Sequence, residues 1–289
     1  MTKSVRSVYC MNSIRMLQSR KNENFFEVKI MEMFSLKGKV AVISGGAGLY
    51  GRQMVRALAM AGARVYMASR NTEKNQAVAD ELNNEGYDVK VAYLDLGDEE
   101  SILKLRDEIY EKEGKVDILV NNSVLRTMKG YSDTKESFEK SMAINATGLF
   151  LITRAFGNEM CKAGKGSIIN IGSYMGMLGP DYSLYEGTEM NKDGVMPDYF
   201  FHKGGMTNYT RYIASHYGRY GIRCNVLELG GFYDGSQPDV FVERYSKSTC
   251  LGRMANETDI MGSLIFLASD ASAYITGAVI PVDGGYTAK

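Results

Sequence analysis

Tyr199 and Lys203 stand four positions apart in Tyr199-Phe200-Phe201-His202-Lys203, a segment that runs on through Gly204-Gly205-Met206-Thr207. On a helix this spacing puts both side chains on one face. A phenol ordinarily titrates near ~10 and exchanges protons poorly at neutral pH. An ammonium about 4 Å away favours the phenolate by ~4 kcal/mol at an effective dielectric of ~20, equivalent to ~3 pKa units. That is enough to bring a phenol into the range where general acid–base catalysis works. The same spacing also arises on ordinary amphipathic helices, so the pair gains meaning only from its surroundings.

A second chemically suggestive stretch lies far upstream. Residues 39–44 form a short apolar strand, and Gly45-Gly46-Ala47-Gly48-Leu49-Tyr50-Gly51 follows at once. A helical segment, 52–61, ends at Gly62, and 64–69 reads as a second strand. Strand, glycine turn, helix and strand make one βαβ unit, which requires a parallel pair and a right-handed crossover. Glycines at such a turn let backbone N–H groups approach a pyrophosphate, and the helix N-terminus adds partial positive charge. The second strand ends in Ser69-Arg70-Asn71 with no acid for a ribose 2′-hydroxyl, and Arg70 can pair instead with a 2′-phosphate. The expected cofactor is therefore NADP(H), with NAD(H) as the alternative.

The elements that must position these groups alternate along the chain. Helices are expected at 73–85, 99–113, 137–161, 238–250 and 257–268, and strands at 88–94, 116–120, 167–171, 221–229 and 277–282. Alternation with short connections predicts an α/β fold, a three-layer, doubly wound parallel sheet (Rossmann fold) of about seven strands. Ligands in such sheets bind beyond the carboxyl ends of the strands, where Asp95, Asn121 and Ser173 fall. Residues 35–289 are expected to form one domain with an insertion at 177–197. A loop of that length inside a compact domain is usually a lid or a binding loop. Residues 1–34 are expected to be an extension. Positions 1–21 are basic, serine-containing and free of acids, as in a transit peptide, while Met31 and Met33 also suit an upstream start or disordered tail.

Bulk composition narrows the classes. With 34 Lys+Arg against 34 Asp+Glu, net charge directs the chain to neither nucleic acid nor an anionic membrane. No apolar run approaches the ~18 residues of a spanning helix, which points to a cytoplasmic protein. Four scattered cysteines and two histidines offer no metal-ligand spacing.

Several motifs in order now carry a resemblance. They are the glycine loop 44–51, Asn121-Asn122-Ser123, Ile144-Asn145-Ala146-Thr147-Gly148, Ile169-Asn170-Ile171-Gly172-Ser173, the Tyr199–Lys203 helix, Leu251-Gly252-Arg253-Met254 and Val282-Asp283-Gly284-Gly285. On these, residues 36–286 resemble a single-domain short-chain dehydrogenase/reductase. The resemblance implies an NAD(P)-dependent oxidoreductase acting on CH–OH groups, with a catalytic set of Asn145, Ser173, Tyr199 and Lys203. Tyr199 would exchange a proton with the substrate oxygen and Ser173 would hydrogen-bond that oxygen. Lys203 would hold the nicotinamide ribose and make the phenol a better acid, and Asn145 would hold a water linking Lys203 to solvent. The cofactor would be bound by Gly45, Gly48, Leu49, Tyr50 and Gly51, by Ser69 and Arg70, by Asp95 and Leu96 at the adenine, and by Asn121, Tyr199, Lys203 and Phe232. The family also implies a homotetramer or homodimer.

The chain departs from the family pattern in places. Leu49 takes the place of the loop's second glycine, Ser123 and Val124 replace Ala-Gly, Leu229 replaces a proline, and Asp234 stands where a threonine is frequent. The interval between Ser173 and Tyr199 is roughly a dozen residues longer than usual for the family. Its Pro180–Met190 portion is similar to bacterial members associated with flagellin glycosylation and surface-sugar synthesis. That loop is rich in carboxylates and phenols, which suits a polyhydroxylated small molecule. Arg126, Tyr185 and Glu186 are the candidate substrate residues, with Arg126 and Lys129 able to meet a phosphate or carboxylate. Other readings are a polyol, gluconate-type or acyl-thioester substrate, or a dinucleotide-binding regulator without turnover.

Overall fold

Short aliphatic runs become strands here because both faces of the sheet are covered, so the sequence need not alternate polar with apolar. β1 (Val40–Ser44), β4 (Ile118–Asn121) and all but the first residue of β5 (Gly166–Ile171) are buried along their length. The computed structural model describes residues 29–289. Most of the extension expected at 1–34 lies outside the described residues, and 29–33 form a short exposed helical turn.

β2 (Arg64–Ser69), β3 (Val89–Tyr93), β6 (Ile222–Leu229) and β7 (Val279–Val282) complete a seven-stranded sheet in the order β3-β2-β1-β4-β5-β6-β7. Every adjacent pair is parallel. The expected doubly wound sheet is thus the observed one. Strand order reverses between β1 and β4, and the loops after these strands diverge to opposite faces.

Helices α1 (Leu49–Met60), α2 (Thr72–Asn84) and α8 (Met261–Ala268) cover one face through Met54, Leu58, Leu82, Leu264 and Leu267. The other face is covered by α3 (Glu99–Glu113), α5 (Leu149–Ala163) and α6 (Pro197–Gly218), through Ile102, Leu105, Phe156, Met160, Ile213 and Tyr217. Helix ends follow local rules. Asp98 caps α3 by accepting from the Glu100 N–H at 3.0 Å, and Gly114 closes it in the left-handed region. Pro197 opens α6 with Asp198 in its first turn, where a missing N–H and a negative charge are both favourable.

The long helix expected at 137–161 is interrupted. α4 (Lys135–Met142) passes into a π-turn, Ala143–Gly148, before α5 resumes the α-helical path. Such wide turns insert an extra residue and are common at functional sites. Gly148 lets the turn press against the Leu96 carbonyl, which a Cβ there would overlap.

The 177–197 segment is packed. Leu184 and Val195 are buried, and Leu184 joins Tyr174, Phe241, Tyr245, Met254 and Tyr286 in a third apolar cluster. Phe241 and Tyr245 come from α7 (Asp239–Ser248), whose Arg244 also donates to the carbonyls of Ser183 at 3.0 Å and Glu186 at 2.5 Å. α7 and the insertion therefore form one substructure over the carboxyl end of the sheet.

Gly148→Ala should be destabilised by about 1–3 kcal/mol, as overpacking against backbone usually is. In a chain of this size calorimetry should find Tm lowered by roughly 3–10 °C.

Candidate active site

β1, β4, β5 and β6 all open onto one cavity of about 700 Å³ at their carboxyl ends. Gly45, Gly48, Leu49, Tyr50 and Gly51 line one end; Ser173, Tyr199 and Lys203 line its middle; Arg126, Tyr185, Met190 and Asn191 lie toward the insertion. An adjoining cavity of about 620 Å³ is lined by Ser69, Arg70, Asp95 and Leu96. Residues spread over 160 positions of sequence thus face one continuous cleft.

The glycine loop is built for an anion. Gly45 has φ of 72°, which a side chain would strain, and its carbonyl accepts from the Asn122 amide at 2.8 Å. A Cβ at Gly51 would overlap the carbonyl oxygens of Gly45 and Gly46, so only glycine lets α1 begin this close to β1. No side chain caps α1 and no acid occupies its first turn. Its first-turn N–H groups and the helix dipole are left to an outside anion. Leu49, though not the family's glycine, is a helical residue with an exposed side chain and does not block the cradle. The residues present fit a dinucleotide diphosphate.

At the reactive end, α6 carries Tyr199 and Lys203 on one face, as their spacing predicts. Lys203 is 2% exposed. Its Nζ donates to the Ile171 carbonyl at 2.6 Å and lies 5.7 Å from the centre of the Tyr199 ring. Burial pulls the lysine pKa below its ordinary value, and the charges of Tyr199 and Glu228 oppose that shift. Arg126 stacks over the same ring at 5.0 Å. His202, packed edge-on to Tyr199 at 5.2 Å, is buried with neither ring nitrogen partnered, and its pKa falls to about 3. It is neutral at physiological pH and adds no charge.

Ser173 ends β5. Its Oγ accepts from the Met175 N–H at 3.3 Å and its own N–H donates to Glu228 Oε2 at 2.5 Å. Asn145 sits in the π-turn. Its amide donates to the Leu125 carbonyl at 2.7 Å and to Ser141 Oγ at 3.0 Å, and its Oδ1 accepts from the Leu125 N–H at 2.8 Å. Ser141 in turn donates to Asp198 at 2.5 Å, tying α4 to the start of α6.

Three sequence-predicted residues, Asn145, Asn121 and Glu186, line neither cavity, and Asn145 is buried with its amide spent on Leu125 and Ser141. Asn121 is buried and spends its amide on Asn170 Oδ1 at 2.8 Å and Thr153 Oγ1 at 3.1 Å. It braces β4 against β5 and α5 rather than facing a ligand. Glu186 is exposed and lines neither cavity, because Arg244 holds its backbone so that the carboxylate faces solvent. Phe232 does line the cleft, edge-on to Tyr50 at 5.0 Å, and the Tyr50 hydroxyl donates to the Gly230 carbonyl at 3.0 Å. Sequence reasoning missed Glu228. Its signal was a carboxylate inside the apolar run Val226-Leu227-Glu228-Leu229, where a buried strand has no ordinary use for charge.

With this geometry established, relatives can be compared. A family model described as Enoyl-(Acyl carrier protein) reductase matches residues 48–287. The chain belongs to the short-chain dehydrogenase/reductase family. It is 31% identical over 265 residues to D-threitol dehydrogenase of Mycolicibacterium smegmatis, covering 89% of this chain and 95% of that one. It is also 31% identical over 265 residues to galactitol 2-dehydrogenase (L-tagatose-forming) of Cereibacter sphaeroides, covering 88% of this chain and 97% of that one. Among solved structures, a gluconate 5-dehydrogenase from Burkholderia cenocepacia in complex with NADP and tartrate aligns with a TM-score of 0.81 and 29% identity. That match covers 90% of this chain and 99% of the other. Among the described residues no cluster of three or more His, Cys, Asp or Glu could hold a metal, and no helix is long and apolar enough to cross a membrane.

Tyr199→Phe keeps the ring packing under Arg126 and removes only the hydroxyl. Turnover should fall about 10²–10⁴-fold, the usual worth of one positioned proton-transfer group. The cofactor Kd, followed by fluorescence titration, should stay within about twofold, and unchanged turnover would exclude the proton-transfer role.

Proposed function

We propose that the protein is an NADP(H)-dependent dehydrogenase/reductase that interconverts an alcohol and a carbonyl on a polyhydroxylated substrate of the sugar, polyol or sugar-acid class. The observation that carries this reading is the unneutralised guanidinium of Arg126 over the Tyr199 ring, inside a cleft to which the insertion contributes Tyr185, Met190, Asn191, Val195 and Met196. Arg126 forms no ion pair among the described residues. A free guanidinium beside a reacting phenol suits a carboxylate or phosphate on the substrate, which it can bind in bidentate fashion.

In this reading each residue has a distinct part. A bound nicotinamide supplies or accepts the hydride. Tyr199 gives a proton to the developing alkoxide, or takes it from the alcohol in the reverse direction. The Ser173 hydroxyl steadies the same oxygen, and the Lys203 ammonium, immobilised by Ile171, holds positive charge beside the Tyr199 ring. Asn145, pinned in its π-turn, shapes the route by which that ammonium reaches water. Arg70 and Ser69, which line the adjoining cavity, are assigned to the 2′-phosphate that distinguishes NADP(H) from NAD(H).

Resemblance of the insertion to bacterial surface-sugar enzymes supports a role in flagellin glycosylation or a related pathway. A homotetramer or homodimer in the cytoplasm completes the proposal. Its support is the exposed aromatic surface of α5 and α6, including Phe150, Phe201 (66% exposed) and Tyr212 (59% exposed). The acyl-thioester alternative is kept in play by the description of the matching family model.

A panel of polyols, aldonates, sugar phosphates, nucleotide sugars, steroids and acyl thioesters, followed by nicotinamide absorbance, tests the substrate class. Turnover of only steroid or acyl substrates would overturn it. Arg126→Leu should raise KM for acidic sugars about 10- to 100-fold, the effect of losing one charge-assisted pair, while neutral polyols change little. Arg70→Asp should weaken NADP(H) at least tenfold more than NAD(H), measured by the ratio of KM values.

A further inference from the structure

Glu228 is 0% exposed and lies behind the cleft rather than in it. A carboxylate so placed must be compensated, and its partners are Ser173 of the site and Thr207, one turn beyond Lys203 on α6. Oε2 accepts from the Ser173 N–H at 2.5 Å and Oε1 accepts from Thr207 Oγ1 at 2.6 Å. The same Thr207 hydroxyl lies 3.1 Å from the Lys203 carbonyl, one turn earlier on α6, as the alternative acceptor for its single proton. The carboxylate fills the room that a side chain at position 172 would need, since a Cβ on Gly172 would overlap it. Glycine at 172 and glutamate at 228 therefore form a complementary pair.

We propose that Glu228 is a positioning residue for this active site, clamping the Ser173 end of β5 to the Lys203 turn of α6 and counterbalancing the buried lysine ammonium. This rests on the oxidoreductase reading above. Burial raises the Glu228 pKa, while its two donors and the cations Lys203 and Arg211 oppose the rise. From the other side, Lys203 faces Tyr199, Glu228 and Arg126. Removing the negative charge leaves Tyr199 alone to oppose the burial and the Arg126 charge that push Lys203 toward the neutral amine. The ammonium should then lose its proton at lower pH, taking the alkaline limb of the rate profile with it.

The test uses Glu228→Gln in the full chain, with kcat, KM, cofactor Kd, Tm and the pH–rate profile measured. We expect kcat to fall at least tenfold, the alkaline limb to move to lower pH, and cofactor Kd to stay within about twofold. Wild-type kcat and an unmoved profile would overturn the proposal. Should Tm also drop sharply, Gly172→Ala/Glu228→Ala restores the volume without the acceptor oxygens. If Tm recovers and kcat does not, the clamp is supported; if activity returns with Tm, Glu228 only packs. The wild-type substrate panel separates the two ideas. No nicotinamide turnover by the wild-type chain on any substrate defeats the oxidoreductase reading, whereas a wild-type enzyme that is active beside an equally active Glu228→Gln enzyme defeats only the clamp.

Discussion

The organisation of the cleft rests on one ammonium held out of water. Lys203 is almost completely buried, and a cation in that position survives only where fixed dipoles and opposite charges replace its hydration. The Ile171 carbonyl, the Tyr199 ring and the more distant Glu228 charge supply that replacement. Each partner comes from a different place: the end of β5, one turn back on α6, and the end of β6. Meeting the needs of one amine therefore sets the distance between strand and helix, and with it the distance between Ser173 and Tyr199.

The surrounding polar network extends that constraint through the carboxyl-end layer. Glu228 reaches Ser173 and Thr207; Thr207 reaches back to Lys203; Asn170 reaches Thr210 and is itself reached by Asn121. On the other flank Asn145, Ser141 and Asp198 link the π-turn to the first turn of α6. Buried networks of this kind are costly when partly satisfied and rigid when complete. Here most members have partners, which fits a site that must hold small distances.

In the proposed function, the glycine loop and the insertion divide recognition between the two ends of the cleft. At one end selectivity rests on absent side chains, since Gly45 and Gly51 let backbone donors come close to an anion. At the other it rests on side chains that are present, with Arg126 over the phenol and an aromatic cluster beneath the insertion. Tyr174, Tyr245 and Tyr286 pack with ring centres 4.5–6.0 Å apart, which stiffens the loop that would otherwise be mobile at this length.

Local pattern by itself determined the seven strands, their alternation with helices, the anion loop and the Tyr199–Lys203 pair. These follow from short-range rules: apolar runs of strand length, glycine where backbone must approach a ligand, and the helical repeat that aligns positions four apart. Tertiary structure decided what depends on contacts between distant segments. It turned Asn121 toward Asn170 and Thr153, held the Glu186 carboxylate in solvent, opened the helix around Asn145 into a π-turn, and drew Glu228 in behind Ser173. The direction of a polar side chain depends on which partners the fold brings within hydrogen-bonding reach, and those partners lie tens of residues away along the chain.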